Sequence, residues 1–247
     1  MLTLPIFNLV LFVGLVFTMA GLTLLAVHQA GRVEDEPLST SKQWTTYTSI
    51  GLMLWLGIPF MLAKLGITSN FNAKPSPVII MLVMGLLTIF LSAFSPVGKR
   101  IAKGFSLYAL FGFQVYRLVI EILLMLFHKQ GLAPIQVTLE GRNWDVLTGL
   151  LALGVLVFFR NKPLSRPAYT VLNLIGLGLV LNITIVSILS LPVPFQVFAE
   201  SNIWVTQAPY IWLPTFLVQL AVAGHIVSFR KLWMERKTHP VMKLAKA

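Results

Sequence analysis

The chain consists of long runs of apolar residues separated by short polar segments. A bilayer core about 30 Å thick is crossed by about 20 apolar residues in an α-helix. The runs are continuous rather than alternating, which favours helices over the strands of a membrane barrel. We predict an all-α, polytopic membrane helix bundle with about seven spans, in which residues 1–247 form a single transmembrane domain. The predicted spans are Leu4–Val27, Tyr47–Ala63, Pro77–Phe94, Phe105–Phe127, Asp145–Phe159, Ala168–Leu191 and Pro209–Phe229.

The composition agrees with this pattern. Of the 247 residues, 57% are hydrophobic and 11% are charged, whereas soluble domains have about 25% charged residues. These values exclude a soluble globular enzyme and a disordered protein. The net charge of +11 would suggest a nucleic-acid ligand in a soluble protein. Here the basic residues flank apolar runs, so we expect no nucleic acid and take the lipid bilayer as a partner.

The basic residues are divided unequally between the two sides of the predicted bundle. Of the 19 Lys and Arg, 14 lie in one set of alternate loops and the C-terminal segment, 4 lie in the other set, and Arg117 lies inside a span. The positive-inside rule predicts an outer N-terminus and a cytoplasmic C-terminus, with residues 230–247 as a basic tail. Tryptophans near the span ends are expected in interfacial belts, Trp44 and Trp233 on the inner side and Trp144, Trp204 and Trp212 on the outer side.

The fourth predicted span carries a polar stripe. Successive helical residues rotate by about 100°, which places Gln114, Arg117, Glu121 and His128 on one face. A charge at bilayer depth costs at least a few kcal/mol, so this face should contact protein or water. Arg117 and Glu121 are spaced i,i+4 and can neutralise each other, but Arg before Glu is the weaker order, which leaves either residue able to bond elsewhere. A structural ion pair and a ligand or ion site both fit the stripe.

The fifth predicted span is unusually short. The 15 residues Asp145–Phe159 rise only about 22 Å as a helix, which does not cross the full core unless the outer end is recessed. We therefore predict that the preceding segment Glu140–Asp145 dips below the outer surface, with Asn143 or Asp145 at the helix start. The alternative is an ordinary outer loop with a helix cap.

A recessed segment would bring Glu140, Arg142 and Asp145 towards Glu121. We expect Arg142 within hydrogen-bonding distance of an acidic side chain. The helix N-terminus is expected to hold an anion or a carboxylate of a neighbouring helix, because it carries free N–H groups and partial positive charge. The result would be a small polar chamber open to the outer face.

Histidines near the span ends are candidates for cofactor ligands or for hydrogen bonds between helices. His28 and His225 lie near the predicted cytoplasmic ends of the first and seventh spans, and His128 follows the fourth. Two such imidazoles could ligate a haem or a chlorophyll-type metal. An interhelical hydrogen bond is the commoner role and also fits Gln219. We predict no other metal site, and cysteine, which could supply thiolate ligands, is absent.

Three stretches resemble a single family: Arg117-x-x-x-Glu121 leading to His128, Thr138–Asp145, and Pro192 through to Arg230. They are similar to bacterial multi-pass inner-membrane proteins that have an E-G-R-N-[WF]-D loop and no assigned activity. The resemblance covers the fourth to the seventh predicted spans. It implies a shared fold and an inner (plasma) membrane location, and it implies no activity, cofactor or catalytic residue.

Three classes of function remain open from the sequence. The first is a non-enzymatic membrane protein that binds or carries a small ligand at an intramembrane cluster of Arg117, Glu121, Glu140, Arg142, Asn143 and Asp145. The second is an accessory or structural subunit of a larger complex of membrane proteins, with or without a haem or chlorophyll-type cofactor. The third is an intramembrane enzyme, which is less favoured because the chain has no HExxH, P-loop or GxSxG motif.

Overall fold

The computed structural model describes residues 4–33, 35–162 and 164–244, with backbone alone for residues 237–244. The described residues form nine α-helices and no strand, which confirms the all-α architecture. A 3-10 turn (Phe113–Tyr116) joins the fifth helix to the sixth, and a π-helical turn (Leu213–Leu217) leads into the ninth. The helices are α1 (Leu4–Val33), α2 (Leu38–Lys64), α3 (Pro77–Phe94), α4 (Pro96–Gly104), α5 (Leu107–Gly112), α6 (Arg117–Lys129), α7 (Val146–Phe158), α8 (Arg166–Leu189) and α9 (Val218–Leu244).

Six helical segments among the described residues are long and apolar enough to cross a membrane. They are α1, α2, α3, the continuous stretch Leu107–Lys129, α8 and the stretch Leu213–Arg236. The chain is therefore a multi-pass membrane protein whose apolar helices contact lipid. The fifth predicted span corresponds to α7, which has 13 residues and rises only about 20 Å.

The first two helices are longer than predicted. The first span was predicted to end at Val27 and the second to begin at Tyr47, but α1 continues to Val33 and α2 begins at Leu38. Hydropathy marks only the part of a helix that contacts lipid, and polar residues can extend the helix beyond it. Likewise α9 continues to Leu244, so that most of the predicted basic tail prolongs the last helix, while residues 245–247 lie outside the described residues.

The short helix α4 was not predicted from the sequence. Ser95 caps its N-terminus by accepting a hydrogen bond from the backbone N–H of Val97. The helix is amphipathic, with Ala102 buried and Lys99 exposed. Arg100 lies buried between α1 and α2, where its guanidinium pairs with Glu36 and donates to the carbonyl of Val27 at 3.1 Å. The helix therefore ties α1 and α2 together on the side predicted to be cytoplasmic.

The centre of the molecule is formed by α9, which packs against α3, α4, α5 and α8.

An aromatic cluster closes the end of the bundle opposite α4. Phe127 of α6 lies 5.4 Å from Trp204 and 5.3 Å from Tyr210, measured between ring centroids. Trp212 stacks on Phe60 of α2 at 5.2 Å. The prediction that Trp204 and Trp212 belong to an interfacial belt is therefore wrong, because both are buried in the core while Trp144 and Trp233 are exposed.

Two irregular segments pack on each other over the ends of α6, α7 and α8. Gln136, in the segment before α7, donates to Ser190 Oγ at 3.1 Å and to the backbone carbonyl of Glu200 at 2.7 Å. Asn182 of α8 donates to the backbone carbonyl of Arg142 at 2.8 Å. These contacts hold the two segments against each other and against α8.

Candidate functional site

A buried ion pair joins α6 to the start of α7. The Nε atom of Arg117 donates to Asp145 Oδ2 at 2.6 Å, and Nη2 forms a second contact with Oδ1. Arg117 is 1% and Asp145 6% exposed. Thr148, one turn into α7, donates to Asp145 Oδ1 at 3.4 Å. The hydrogen bond from Nε joins two opposite charges, which strengthens it, so this pair fixes α7 against α6.

The remaining nitrogen of Arg117 connects the pair to α8 and α9. Its Nη1 atom donates to the Gly176 carbonyl at 3.3 Å and to His225 Nε2 at 3.2 Å. Because a guanidinium can only donate, His225 Nε2 must be the acceptor and the imidazole proton must lie on Nδ1. The Nδ1–H group donates in turn to Asn173 Oδ1 at 2.8 Å, and the Asn173 amide nitrogen donates to the carbonyl of His225 at 2.9 Å. Both ring nitrogens of His225 are thus engaged, which leaves neither free to ligate a haem or chlorophyll-type metal.

Glu121 lies one helical turn beyond Arg117 but has a different partner. The side-chain amide of Asn143 donates to both carboxylate oxygens of Glu121 at 2.8 Å and to the carbonyl of Val137 at 3.1 Å. Asn143 Oδ1 accepts a hydrogen bond at 3.0 Å from the backbone N–H of Asp145, which is the N-cap residue of α7. Asn143 is therefore the link between the Glu121 carboxylate and the start of α7, and an Arg117–Glu121 pair is not formed.

With Glu121 ionised, the charges of this region do not balance. One guanidinium, Arg117, and two carboxylates, Glu121 and Asp145, are buried together. The guanidinium is occupied by Asp145, and Glu121 forms no ion pair with any residue that the structure describes. A buried carboxylate without a neighbouring cation is costly, because burial removes its hydration. Glu121 is therefore the group in the site with unused capacity for a proton or a cation.

Glu121 lines a cavity of about 70 Å³ between α6, α8 and the start of α9. The volume holds a few water molecules or a ligand of a few heavy atoms. Two buried polar atoms of other lining residues, Asn202 Oδ1 and Trp204 Nε1, have no hydrogen-bond partner within the described part of the chain. The amide nitrogen of Asn202 donates to Ser187 Oγ at 2.7 Å, which leaves only its oxygen available. We call Glu121, Asn202, Trp204 and Ser187, with this cavity, the polar chamber.

Two residues predicted for the cluster lie outside it. Glu140 and Arg142 are exposed, whereas Asn143 and Asp145 are buried. The Arg142 guanidinium lies over the ring of Phe198, 5.4 Å from its centroid, and forms no ion pair within the described residues. The expectation that Arg142 pairs with an acidic side chain is therefore wrong. The physical reason is that only Asn143 and Asp145 of the E-G-R-N-W-D segment are buried, where Asn143 bonds Glu121, while Glu140, Arg142 and Trp144 are exposed.

The other candidate polar residues have separate structural contacts. His28 Nδ1 lies 3.4 Å from the hydroxyl oxygens of Ser41 and Thr45, between α1 and α2. His128 Nδ1 lies 2.8 Å from the carbonyl of Ala133, just beyond α6. Gln114 donates to the carbonyl of Ala221 at 3.2 Å, and Gln219 is buried beside Gly85 of α3. His28 and His225 contact different helices, and no group of three potential metal-binding side chains occurs in the described residues.

Sequence reasoning missed Asn202 and Trp204 as members of the chamber. Asn202 follows the proline-containing segment after α8, and Trp204 was expected at an interface because it lies near a span end. No local spacing indicates that this segment folds back over α6. A weak signal exists in Thr184 and Ser187 of α8, which have i,i+3 spacing and both line the cavity.

Comparisons with known proteins give a family and no activity. No curated protein and no solved structure matches the chain. A family model described as a domain of unknown function (DUF8737) matches residues 75–233, from just before α3 into α9, and this range contains the whole polar chamber. The predicted similarity to an uncharacterised family is confirmed at this level. The chain belongs to the DUF8737 family of domains of unknown function.

Proposed function

We propose that this protein is a non-enzymatic multi-pass membrane protein that binds or carries a small cationic ligand in the polar chamber. The observation that carries the proposal is the buried Glu121 carboxylate, which is 4% exposed and hydrogen-bonded by an amide rather than paired with a cation. A cation in the adjoining cavity would supply the missing charge. The neighbouring Arg117–Asp145 pair is already neutral and needs no ligand.

The lining of the chamber suits a small ammonium group. Glu121 offers a carboxylate, and the buried Asn202 Oδ1 atom offers a second acceptor that has no protein partner. Trp204 also lines the cavity, and indole rings attract cations held over their faces. A cavity of about 70 Å³ limits the ligand to ammonium or to an amine with very few carbon atoms.

The proposed ligand is a cation, whereas one expectation from the sequence was an anion at the N-terminus of α7. An anion at the N-terminus of α7 would need a free guanidinium, but Arg117 is occupied by Asp145 and Arg142 lies over Phe198. The backbone N–H of Asp145 is itself bonded by Asn143 Oδ1. The groups that remain available include two acceptors, the Glu121 carboxylate and Asn202 Oδ1, and a donor, Trp204 Nε1–H. The carboxylate is the charged member of this set, and it selects a cation.

Thermal unfolding of the purified protein in detergent with increasing methylammonium chloride tests the proposal. A ligand at 100 times its Kd stabilises the folded state by about 2.7 kcal/mol, which raises the melting temperature of a chain of this size by about 5–11 °C. Tetrapropylammonium chloride, which is too large for the cavity, controls for ionic strength. We expect a saturable shift with methylammonium in the wild type and none with the large ion.

Two variants separate the chamber from general charge effects. Glu121→Gln keeps the shape of the side chain and an acceptor for Asn143, and it should abolish the shift. Glu140→Gln removes an exposed carboxylate from the same region and should leave the shift unchanged. An equal methylammonium response in Glu121→Gln and in the wild type would refute the proposal.

We further propose seven spans, with the N-terminus outside and the C-terminus in the cytoplasm of an inner membrane. The support is the unequal distribution of basic residues and the position of α7 between two membrane-length segments. If α7 crosses, residues 68–74 and the C-terminus lie on opposite sides. If α7 does not cross, they lie on the same side. Reporter fusions within residues 68–74 and after Lys246 distinguish these arrangements, and equal reporter activity would contradict seven spans.

A further inference from the structure

A second, larger cavity opens at the surface of the bundle between α2 and α3. Its volume is about 370 Å³, which is within the range of small-molecule sites. Here α2 packs against α1, while α3 packs against α4 and α9, so that the two helices stand apart as the walls of a groove. Leu220, Ala223 and Val227 of α9 form its floor. This groove lies away from the polar chamber and shares no lining residue with it.

The length of the groove matches one leaflet of a bilayer. It follows α2 from Trp44 to Trp55, and at 1.5 Å per helical residue this distance is about 16 Å. Half of a bilayer core is about 15 Å. Trp44 and Tyr47 lie at the end of the groove near α4. Aromatic side chains of this kind are common at the level of the lipid headgroups. With that end placed at headgroup level, the deep end, at Trp55 and Phe216, falls near the level of the bilayer midplane.

The lining of the groove is mostly apolar and contains no charged side chain. Its polar members are hydroxyl groups and indoles, including Thr48, Thr88 and Ser92. Among these, Thr48 and Thr88 donate to carbonyls of their own helices at 2.8 Å. Gly51 lies in the middle of the α2 wall, and a Cβ atom added there would meet nothing within 4 Å. The groove thus has the width to accept a flexible hydrocarbon chain.

Two cations lie near the mouth of the groove. Arg230 of α9 donates through Nη1 to the carbonyls of Ala93 and Ser95, both at 2.7 Å, and these two residues line the mouth. Lys99 is exposed on α4, one residue after the lining residue Gly98. The Arg100 guanidinium lies 6.0 Å from the ring centroid of Trp44, but its charge is neutralised by Glu36, so the charge available to a headgroup comes from Lys99 and Arg230. A negatively charged headgroup at this mouth would meet favourable electrostatic potential.

We infer that the groove binds one acyl chain of an anionic glycerophospholipid, with the phosphate held at the basic mouth beside Lys99 and Arg230. The groove length matches one leaflet, the lining matches hydrocarbon, and the charge of the mouth matches an anionic headgroup. The surrounding bilayer supplies this ligand, so that no separate carrier is needed. This inference is independent of the cation proposed for the chamber.

Native mass spectrometry of the protein released from micelles that contain equal phosphatidylglycerol and phosphatidylcholine tests the inference. We expect the wild type to retain one phosphatidylglycerol in preference to phosphatidylcholine. Gly51→Leu fills the groove and should reduce retention by about tenfold or more. Gly57→Leu is the matched control, because Gly57 is also on α2 with nothing within 4 Å of an added Cβ but does not line the groove.

The charge of the mouth is tested by Lys99→Gln, with Lys74→Gln as the control. Both lysines are exposed, but Lys74 precedes α3 at the opposite end of that helix. One lysine near an anionic surface contributes about 1 kcal/mol, so Lys99→Gln should lower the preference for phosphatidylglycerol about fivefold. Equal lipid retention by Gly51→Leu and Gly57→Leu would overturn the groove as the binding site. Equal retention of both lipids by the wild type would overturn the anionic headgroup.

Discussion

Replacement of Asp145 by Ala should be among the most destabilising single substitutions in this chain. It removes the carboxylate that forms the two-point contact with Arg117 and accepts from Thr148. Arg117 would then keep only its 3.3 Å bond to the carbonyl of Gly176 and its 3.2 Å bond to His225. With 1% of its surface exposed, the guanidinium cannot be rehydrated without opening the bundle.

The expected magnitude follows from the burial of both partners. Removing one partner of a buried ion pair costs about 3–5 kcal/mol, because the other charge is left uncompensated. For a chain of this length, 1 kcal/mol lowers the melting temperature by about 2–4 °C, which gives a decrease of about 6–20 °C. Glu121 lies one turn away and could accept Arg117, so the substitution is also made together with Glu121→Gln. In the Glu121→Gln background, Asp145→Ala should lower the melting temperature by more than it does in the wild type.

The assay is thermal unfolding in one detergent, with Glu140→Ala as the exposed-carboxylate control. The double variant Arg117→Met/Asp145→Leu replaces both charges with apolar groups and should recover most of the stability lost in Asp145→Ala. The reasoning would be refuted if Asp145→Ala melted within 2 °C of Glu140→Ala, a threshold of roughly 1 kcal/mol or less. It would also be refuted if the double variant were less stable than Asp145→Ala.

Two further predictions use the same unfolding assay. Gly176→Ala should destabilise by about 1–3 kcal/mol, because the added Cβ would lie 2.5 Å from the imidazole of α9. At Gly178 an added Cβ meets nothing within 4 Å, so Gly178→Ala should be neutral or stabilising by up to about 1 kcal/mol. Equal changes in stability for Gly176→Ala and Gly178→Ala would contradict the close packing of α8 on α9. Asn143→Leu should cost about 1–3 kcal/mol because it leaves the Glu121 carboxylate buried without its donor. Asn182 is exposed and its side chain forms one hydrogen bond to the backbone, so Asn182→Leu should cost under about 1 kcal/mol. A larger loss of stability in Asn182→Leu than in Asn143→Leu would contradict the role of Asn143 as the donor to Glu121.

Residue type was sufficient to predict that Arg117 and Glu121 are buried, but not how they pair. Arg117 and Glu121 interrupt an apolar run, and the cost of exposing charge to lipid places them inside the bundle. Their i,i+4 spacing suggests a mutual pair, yet the partner of Arg117 is Asp145, 28 residues later. That choice depends on how the segment before α7 folds over α6. Such long-range placement is not encoded in any local period.

The same limit explains the errors at Arg142 and Trp204. The short α7 suggested that the segment before it turns inwards, and within that segment Asn143 and Asp145 are buried. Arg142, the residue directly before Asn143, is nevertheless exposed and lies beside Phe198. Trp204 lies near a span end, as interfacial tryptophans do, but packing against Phe127 buries it. Local composition predicts depth along a helix better than it predicts which loop covers which helix.

Equilibrium dialysis with radiolabelled methylammonium measures occupancy of the polar chamber most directly. We expect saturable binding of about one methylammonium per chain in the wild type and in Glu140→Gln. Glu121→Gln should bind at least about tenfold more weakly, since tenfold corresponds to 1.4 kcal/mol and a hydrogen bond to a charged group contributes about 1.5–3 kcal/mol. Binding of methylammonium by Glu121→Gln with the affinity and stoichiometry of the wild type would contradict a cation site at Glu121.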